Sequence, residues 1–322
     1  EIKAISNLGR NKDGSYGERF NYALGETYEP GSVFKTVSLV VALEEAKIDT
    51  TYTVDTKKGV ISFYGREVWD SNRRGYGTIN LSKAMQVSSN TAIVQMVHDL
   101  FGKDPKKFVG RINKMHLNRK LGMPILGEGT PFVPQPNQRG WSGIALEWMA
   151  FGYGLEMTPL QVLTFYNAIA NGGRMMQPRF VKAAVMNGDT IAEFPPEVVK
   201  GREQIASEKT IKIIQDLLRR VVVKGTGKKA NTPNFYICGK TGTAMIARNG
   251  SYSGMPNHLL SFAGWFGTKE QPLYSCIVCI QKAGMPAFGW MSAETFRDIA
   301  EGVMAKYVKY DISDARDSSS IP

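Results

Sequence analysis

The spacing of hydrophobic residues changes along this chain, and the change predicts helices in its middle and a sheet near its end. From Val33 to Leu43 nearly every position is apolar, which is typical of a helix buried on all sides in a core. Pro30 and Gly31 break the chain just before this run. The pattern therefore predicts a buried helix that ends at about Ala46.

Further runs with helical spacing follow, separated by turn-forming residues. Thr158 followed by Pro159 predicts a helix start with a capping side chain and proline in the first turn. A Ser-Ser-Asn stretch at residues 88–90 separates two of the runs. The predicted helices cover residues 81–87, 91–101, 158–170, 209–223 and 293–307.

The pattern changes after residue 235, where apolar, partly β-branched runs are separated by Gly, Pro and Asn. Such runs predict antiparallel neighbouring strands, here at residues 235–244, 258–266 and 273–281. Residues 1–6 predict one more strand, and residues 54–77 predict short strands and loops. Residues 122–143, rich in Pro and Gly, predict a long loop, and the polar residues 311–322 predict a frayed tail.

Two polar residues, Ser32 and Lys35, stand at the start of the otherwise apolar first helix. Residues three apart on a helix share a face, so the amine of Lys35 is expected to reach the Ser32 hydroxyl. A desolvated lysine with a lowered pKa is a suitable base for a serine nucleophile. Taken alone, the pair equally fits an N-cap serine followed by a lysine that extends towards solvent.

A second polar cluster is the break between helices that contains Ser88 and Asn90. Both residue types are good caps and turn formers, so capping of the following helix is one interpretation. The other is catalytic: Ser88 passes a proton between a base and a leaving group, and the Asn90 amide binds a substrate carbonyl.

A third cluster, GKTGT at residues 239–243, lies in the first of the late strands. A phosphate loop would need a glycine at residue 234, which is absent, and a helix directly afterwards. Glycine in a strand marks close approach of a ligand or a backbone, so Gly242 predicts a substrate lying along this strand. Lys240, Thr241 and Thr243 offer a cation and hydroxyls that suit a carboxylate. A permissive strand with bulge glycines is the alternative.

The composition excludes several other classes of protein. The 322 residues are 43% hydrophobic and 21% charged, as in an ordinary globular chain. The net charge is +11, but the basic residues are scattered and not interleaved with aromatic residues, so we expect no nucleic-acid partner. An anionic membrane surface, or solvent alone, is the alternative explanation for the charge.

Cysteine and histidine are too sparse for a metal site or a disulfide framework. Cys276 and Cys279 have metal-ligand spacing, but residues three apart in a strand point to opposite faces. The three histidines form no cluster with carboxylates. We therefore expect no metal and no cofactor, and a Ser-His-Asp triad is not supported. The chain begins without Met in a predicted strand and shows no signal peptide or membrane span, so we expect it to be a piece of a longer protein.

The three polar clusters together carry a family resemblance. Ser-x-x-Lys, Ser-x-Asn and Lys-Thr-Gly, in this order, resemble the signature of penicillin-binding proteins and serine β-lactamases. Their surroundings, YEPGSVFK (28–35), SSNTA (88–92) and GKTGTA (239–244), are similar over nearly the whole chain to the transpeptidase domain of class B, or monofunctional, penicillin-binding proteins. FGYG (151–154) followed by MTPLQ (157–161) looks most like the division-type, septal transpeptidases.

The resemblance implies an α/β (α+β) fold: a five-stranded antiparallel sheet flanked by helices, plus a mostly helical subdomain, with the active site at their boundary. One catalytic domain would span residues 1–322, with the sheet from residues 1–25 and about 230–310 and the helical subdomain from about 50–225. The family also implies an N-terminal membrane anchor and a pedestal outside these residues. The fragment would then be soluble, and the parent anchored at the extracytoplasmic, periplasmic face of the inner membrane.

The implied activity is that of a D,D-transpeptidase that cross-links peptidoglycan stem peptides ending in D-Ala-D-Ala, in septal wall synthesis, and is a target of β-lactams. Ser32 would be the nucleophile, Lys35 its base, and Ser88 a proton relay with Lys240. The backbone N–H groups of Ser32 and Thr243 would bind the oxyanion. The residues implied in substrate binding are Asn90, Lys240, Thr241, Gly242 and Thr243. A glycosyltransferase and other division proteins are the implied partners.

Related activities stay open at this point. A D,D-carboxypeptidase differs only in using water as the acceptor, and a β-lactam sensor acylates without turnover. A β-lactamase must hydrolyse its acyl-enzyme, which class A enzymes do with a glutamate. Glu147 is the only glutamate between residues 129 and 153, and nothing in the sequence connects it to the three motifs.

Overall fold

The computed structural model of the chain describes residues 1–18, 20–199, 204–246 and 256–307. Most of its helices lie between the N-terminal segment and the late strands, and one follows those strands. Their bounds are α1 Tyr22–Gly25, α2 Lys35–Glu45, α3 Leu81–Val87, α4 Asn90–Phe101, α5 Pro105–Lys114, α6 Ala145–Ala150, α7 Pro159–Ala170, α8 Glu208–Lys224 and α9 Trp290–Tyr307. Short 3₁₀ turns cover Gly31–Phe34 and Lys228–Ala230.

The strands form one larger sheet and several hairpins or pairs. Strands β9, β10 and β11 are antiparallel, in the order β11-β10-β9, and the other pairs are β1 with β2, β3 with β6, β4 with β5 and β7 with β8. The bounds are β1 Leu8–Arg10, β2 Tyr16–Glu18, β3 Thr53–Asp55, β4 Val60–Phe63, β5 Arg66–Trp69, β6 Thr78–Asn80, β7 Ala183–Met186, β8 Asp189–Glu193, β9 Tyr236–Met245, β10 Asn257–Gly267 and β11 Pro272–Ala283.

The core explains why α2 has almost no polar face. Helices α4, α5 and α8 pack around α2, so Leu39, Val40 and Val41 are completely buried. The sheet lies between two layers of helices, with α7 against one face and α9 against the other. Phe262 of β10 packs against Phe296 of α9, with ring centroids 4.6 Å apart. Strand β9 is therefore left at the edge of the sheet, beside the turn that begins α2.

Most sequence predictions of local structure are confirmed. The helices at residues 81–87 and 158–170 have the predicted bounds, apart from the cap Thr158, and the three late antiparallel strands differ from prediction by a few residues. Thr158 closes a capping box with Gln161. These segments have strong local signals, because capping and periodicity act between residues close in sequence.

Two predictions about the sheet are wrong. Residues 1–6 are not a strand. Ile2 instead packs in a small cluster with Leu24, and its N–H donates to Arg179 O at 2.9 Å. Within the described ranges the main sheet has three strands and not five, and β1 and β2 pair only with each other. The predicted tail at residues 311–322 lies outside the described residues.

In the part of the chain that the structure describes, no helix has the length and apolar character needed to cross a lipid bilayer. The extent of the catalytic domain over residues 1–322 and its division into a sheet region and a helical subdomain stay predictions.

Candidate active site

Ser32 lies in the 3₁₀ turn Gly31–Phe34, which leads directly into α2. We call Gly31–Phe34 the serine turn. Gly31 has a φ of +57°, and its N–H donates to Gly152 O at 3.0 Å. A side chain at Gly152 would collide with the backbone of Gly31, so only glycine allows this approach. The FGYG stretch at residues 151–154 thus packs directly against the backbone of the serine turn through Gly152.

Strand β9 packs against another side of the serine turn. A Cβ on Gly242 would collide with the Ser261 hydroxyl and would lie 3.1 Å from Val33 Cγ1 and 3.3 Å from Pro30 O. Gly242 was predicted to make room for a substrate. In the structure the Cβ position of this glycine is closest to the Ser261 hydroxyl of the neighbouring strand β10, and Val33 of the serine turn and Pro30 lie next to it. The binding of a substrate at Gly242 stays a prediction.

Lys35 is completely buried one residue after the serine turn. Its Nζ donates to Ser88 O and to Asn90 Oδ1, each at 2.6 Å, and lies 3.2 Å from Ser88 Oγ. Between these described residues there is no hydrogen bond from Lys35 Nζ to Ser32 Oγ, which the helical spacing predicted. Ser88 O and Asn90 Oδ1, at the α3–α4 break, accept from the Lys35 amine in place of Ser32 Oγ.

Burial is the main cause of a lowered pKa at Lys35. Desolvation disfavours the ammonium and lowers the pKa of Lys35 to about 7, although the negative charge of Asp70 opposes the change. A pKa close to neutral lets a lysine accept and release a proton at physiological pH. Lys35 is thus buried directly after the serine turn, and its role as the base for Ser32 stays a prediction.

Ser88 is the first residue of the two-residue break between α3 and α4 and has the left-handed conformation, with φ 55° and ψ 41°. This conformation reverses the chain direction, so that the next residue, Ser89, caps α4 through Ala92 N at 3.0 Å. Ser88 Oγ lies 3.2 Å from Lys35 Nζ and 2.9 Å from Lys240 Nζ. One hydroxyl therefore bridges two amines.

Lys240 reaches this hydroxyl from strand β9. It is completely buried, and its Nζ also donates to Thr241 O at 2.9 Å. Burial, followed by the nearby charge of Lys35, lowers the pKa of Lys240 well below its usual value. Two adjacent buried ammonium groups repel each other, so the pair favours a state with at least one neutral amine. A hydroxyl between a neutral amine and an ammonium is a path for a proton.

Asp70, directly after β5, is a site residue that the sequence analysis missed. Its carboxylate is 2% exposed and accepts hydrogen bonds from Asn90 N at 2.5 Å and Thr91 N at 3.0 Å. The hydroxyls of Ser89 and Thr91 donate to it as well, at 2.9 and 2.8 Å. Asp70 therefore anchors the start of α4 and places an anion near Lys35. The sequence gives no pattern that connects Asp70 to the three motifs, because it lies outside them and directly after a short strand.

The Asn90 side chain is engaged at both ends. Its Oδ1 accepts from Lys35, and its Nδ2 donates to Trp69 O at 2.6 Å. An amide nitrogen carries two protons, so one Nδ2 proton is not used in the contact with Trp69. Asn90 thus fixes the Lys35 amine, a role that the sequence analysis did not assign to it.

The strand periodicity of β9 divides its motif between two faces. Lys240 lies opposite Ala263, while Thr241 and Thr243 lie opposite Phe262 and Leu260 of β10. The two threonines are therefore on the face of the sheet that α9 covers, and Lys240 is on the face of the helical core. Thr241 is buried and Thr243 is exposed.

The described residues contain no group of three or more His, Cys, Asp or Glu side chains that could hold a metal ion. Cys276 lies opposite Gly264 and Cys279 opposite Ser261, so the two thiols point to opposite faces of the sheet. All three cysteines are free. The reactive groups that this region offers are thus a serine hydroxyl, a second serine, two amines and the threonines of β9.

Comparison with known proteins agrees with this arrangement. The family described as "Penicillin binding protein transpeptidase domain" matches residues 2–301. Stage V sporulation protein D of Bacillus subtilis (strain 168) is 31% identical over 271 residues, which are 84% of this chain and 41% of that protein. Peptidoglycan D,D-transpeptidase FtsI of Escherichia coli (strain K12) is 25% identical over 288 residues, which are 88% of this chain and 45% of that protein.

A solved structure shows the same fold. The crystal structure of penicillin binding protein 3 from Mycobacterium tuberculosis, in its apo form, superposes with a TM-score of 0.77 at 28% identity, covering 92% of this chain and 66% of that chain. The chain spans less than half the length of the first curated relatives that it matches. Because the family match extends over almost all residues and the three motifs meet at one serine turn, the chain belongs to the penicillin-binding protein transpeptidase domain family.

Proposed function

We propose that this domain is a serine D,D-transpeptidase, which cross-links peptidoglycan stem peptides through an acyl-enzyme on Ser32. The observation that carries the proposal is the Ser88 hydroxyl held between the buried amines of Lys35 and Lys240, beside the serine turn. Covalent acyl transfer needs a nucleophile, a base and a proton donor for the leaving group, and this cluster supplies all three.

In the acylation step, Ser32 Oγ attacks the carbonyl carbon between the two D-alanines of the donor. The neutral Lys35 amine accepts the hydroxyl proton. The C–N bond then breaks, and Ser88 gives its proton to the leaving amine of the terminal D-Ala while it takes one from Lys35 or Lys240. The oxyanion lies between the backbone N–H groups of Ser32 and Thr243, and such donors contribute about 3 kcal/mol each.

Donor binding uses the free edge of the sheet. Strand β9 is an edge strand among the described strands, so an extended stem peptide can add to it by main-chain hydrogen bonds. The remaining Nδ2 proton of Asn90 binds a donor carbonyl. The hydroxyls of Thr241 and Thr243 bind the terminal carboxylate, and Lys240 contributes its charge from the other face of β9.

The second half of the reaction transfers the acyl group to the amine of a neighbouring stem. That amine attacks the Ser32 ester, the ester C–O bond breaks, and the proton returns to Ser32 Oγ through the lysine cluster. β-Lactams imitate the donor and leave a stable ester on Ser32. A solved structure of the Mycobacterium tuberculosis relative is described as complexed with ampicillin.

Hydrolysis of the acyl-enzyme by Glu147 is not supported. Glu147 Oε1 is 2.7 Å from His98 Nδ1, and the Glu147 side chain is buried between α4 and α6. One carboxylate oxygen of Glu147 therefore contacts His98, and no described contact joins Glu147 to Ser32, Lys35 or Ser88. A D,D-carboxypeptidase would use the same groups with water as acceptor, and no described contact favours it.

The names of the relatives suggest where such an enzyme works. They include FtsI, which is a D,D-transpeptidase, and a sporulation protein. We propose that the domain acts in septal wall synthesis, on the extracytoplasmic face of the inner membrane, as part of an anchored parent protein. A glycosyltransferase and other division proteins would be its partners there.

Intact-protein mass spectrometry tests the central proposal. The wild-type domain and Ser32→Ala are incubated with excess penicillin and followed for hours after the drug is removed. We expect one stable adduct on the wild type and none on Ser32→Ala. An adduct that disappears within seconds would indicate a β-lactamase, and no adduct on the wild type would refute the acyl-enzyme.

A further inference from the structure

One turn of the chain lies against the proposed carboxylate site and has no role in the mechanism above. The turn Gly225-Thr226-Gly227 follows α8 and reaches both the end of α3 and strand β9. A Cβ on Gly225 would collide with Gln86 O, so glycine is required for the close approach of the two backbones. Thr226 N donates to the same Gln86 O at 2.9 Å.

The other end of the turn is fixed as well. Gly227 N donates to Val221 O at 3.1 Å, and a Cβ on Gly227 would lie 3.3 Å from the Phe262 ring. The backbone of Thr226 therefore has a defined position between α3 and the sheet. Because a β-branched residue has few χ1 rotamers, this fixed backbone leaves the Thr226 side chain few possible directions.

The Thr226 hydroxyl is bonded to the substrate strand. Its Oγ1 is 2.7 Å from Thr241 Oγ1, a normal distance for two hydroxyls. Thr241 is 5% exposed, whereas Thr226 is exposed. A hydroxyl has one proton and rotates to suit its neighbours. When Thr226 donates to Thr241, the proton of Thr241 is left for a ligand.

A third glycine, Gly289, borders the space beside these hydroxyls. A Cβ on Gly289 would lie 3.2 Å from Thr243 Oγ1 and 3.4 Å from Thr241 Cβ. Gly289 does not have the positive φ that would itself require glycine. A side chain there would occupy the space beside both threonines, so the missing side chain leaves room for a ligand group.

We propose that Thr226 is a positioning residue for carboxylate recognition. It holds the Thr241 hydroxyl in the orientation that donates to an anionic group next to the scissile amide. The site then prefers acyl donors and inhibitors that carry a free carboxylate at that position. This inference rests on the proposed function, because it assigns the carboxylate to Thr241 and Thr243.

The test compares a penicillin with its methyl ester, which lacks the anion, in acylation kinetics that separate binding from the limiting rate. Thr226→Val keeps the shape and removes the hydroxyl. We expect it to weaken binding of the free acid roughly fivefold, the size of one neutral hydrogen bond, with little change in the limiting rate or in acylation by the ester. Thr226→Ser restores the hydroxyl and should restore the preference for the acid.

Two further variants make the test specific. Thr295→Val changes an exposed threonine whose hydroxyl bonds Met291 O within α9, and it should behave as wild type. Thr226→Val combined with Thr241→Val should be no weaker than Thr241→Val alone, because the proposed effect passes through Thr241.

The outcomes separate this inference from the proposed function. Equal losses on acid and ester, failure of Thr226→Ser to restore the preference, or additive losses in the double variant would each overturn the positioning role. A Thr226→Val protein that distinguishes acid from ester as the wild type does would overturn it too. If the wild type itself forms no adduct on Ser32, the proposed function fails instead.

Discussion

The two sides of the serine turn are built on different principles. On the side of the α3–α4 break, Lys35 and Asp70 are buried and make several hydrogen bonds each. On the side of β9, Thr243 and Thr226 are exposed, and a single hydroxyl pair joins Thr226 to Thr241. The first side is closed and preorganised, and the second is partly open, because Thr241 is buried while Thr243 and Thr226 are exposed.

The difference corresponds to two chemical tasks. Proton transfer needs groups with fixed geometry and tuned pKa values in a place without water, where electrostatic effects are strong. Recognition of a peptide carboxylate needs donors that a ligand can reach. The lysine cluster provides the first and the threonines of β9 provide the second, so changes on the two sides should affect different kinetic constants.

The largest effect is expected on the closed side, for Lys35→Met. The variant keeps most of the side-chain volume and removes the amine that accepts the Ser32 proton. We expect the limiting rate of acylation by penicillin to fall on the order of 10³-fold, within the range for loss of a general base. Stopped-flow acylation measures this rate. Thr295→Val serves as a control for substitution in general, and near-normal acylation of Lys35→Met would contradict the assignment of the base.

The effect of pH on the rate of acylation should be the next largest after the effect of Lys35→Met. Lys35 must be neutral to act, and its pKa is about 7, so acylation should rise with pH and level off above neutrality. Between pH 5 and pH 7 the neutral fraction of the Lys35 amine grows from about 1% to about one half, so we expect the rate to rise roughly 50-fold. A profile that is flat over this range would show that another group controls the rate.

The same pKa makes a prediction for folding. The folded pKa of about 7 lies below the unfolded value of about 10.4, so the unfolded state binds more protons between these values. The contribution of Lys35 to the free energy of unfolding should therefore rise with pH from about 7 to about 10. Chemical denaturation of the wild type and Lys35→Met should show this difference, and equal pH slopes would contradict it.

A smaller effect on the rate is expected for Asp70→Asn. The amide is isosteric, but one oxygen becomes a donor, so the bonds at the start of α4 are partly lost. We expect a loss of stability of about 2 kcal/mol and roughly tenfold slower acylation above pH 7. The carboxylate raises the pKa of Lys35, so its removal should move the midpoint of the acylation profile to lower pH.

A matched control is Asp104→Asn, because Asp104 is exposed and makes no side-chain capping bond to α5. Thermal unfolding and the acylation profile should both match the wild type for this control. A midpoint that moves to higher pH in Asp70→Asn would contradict the electrostatic role of Asp70.

Much of the site was predictable because its signals are local. The bounds of α3, the break at Ser88 and the run of β9 follow from periodicity, capping and turn residues within a few positions. The prediction of a strand at residues 1–6 was wrong, because a short segment forms a strand only where a neighbouring strand is available for pairing. A pattern within a few residues cannot show whether such a neighbouring strand is present.

The sequence by itself determined which reactive groups the protein has, Ser32, Lys35, Ser88 and Lys240, and which elements carry them. Only the tertiary structure decided where the amines point, that Asp70 anchors the α3–α4 break, and that Gly242 packs on the serine turn. The physical reason is range: capping and periodicity act between neighbours in sequence. Burial, pKa shifts and close backbone approach depend on segments that meet only when the chain has folded.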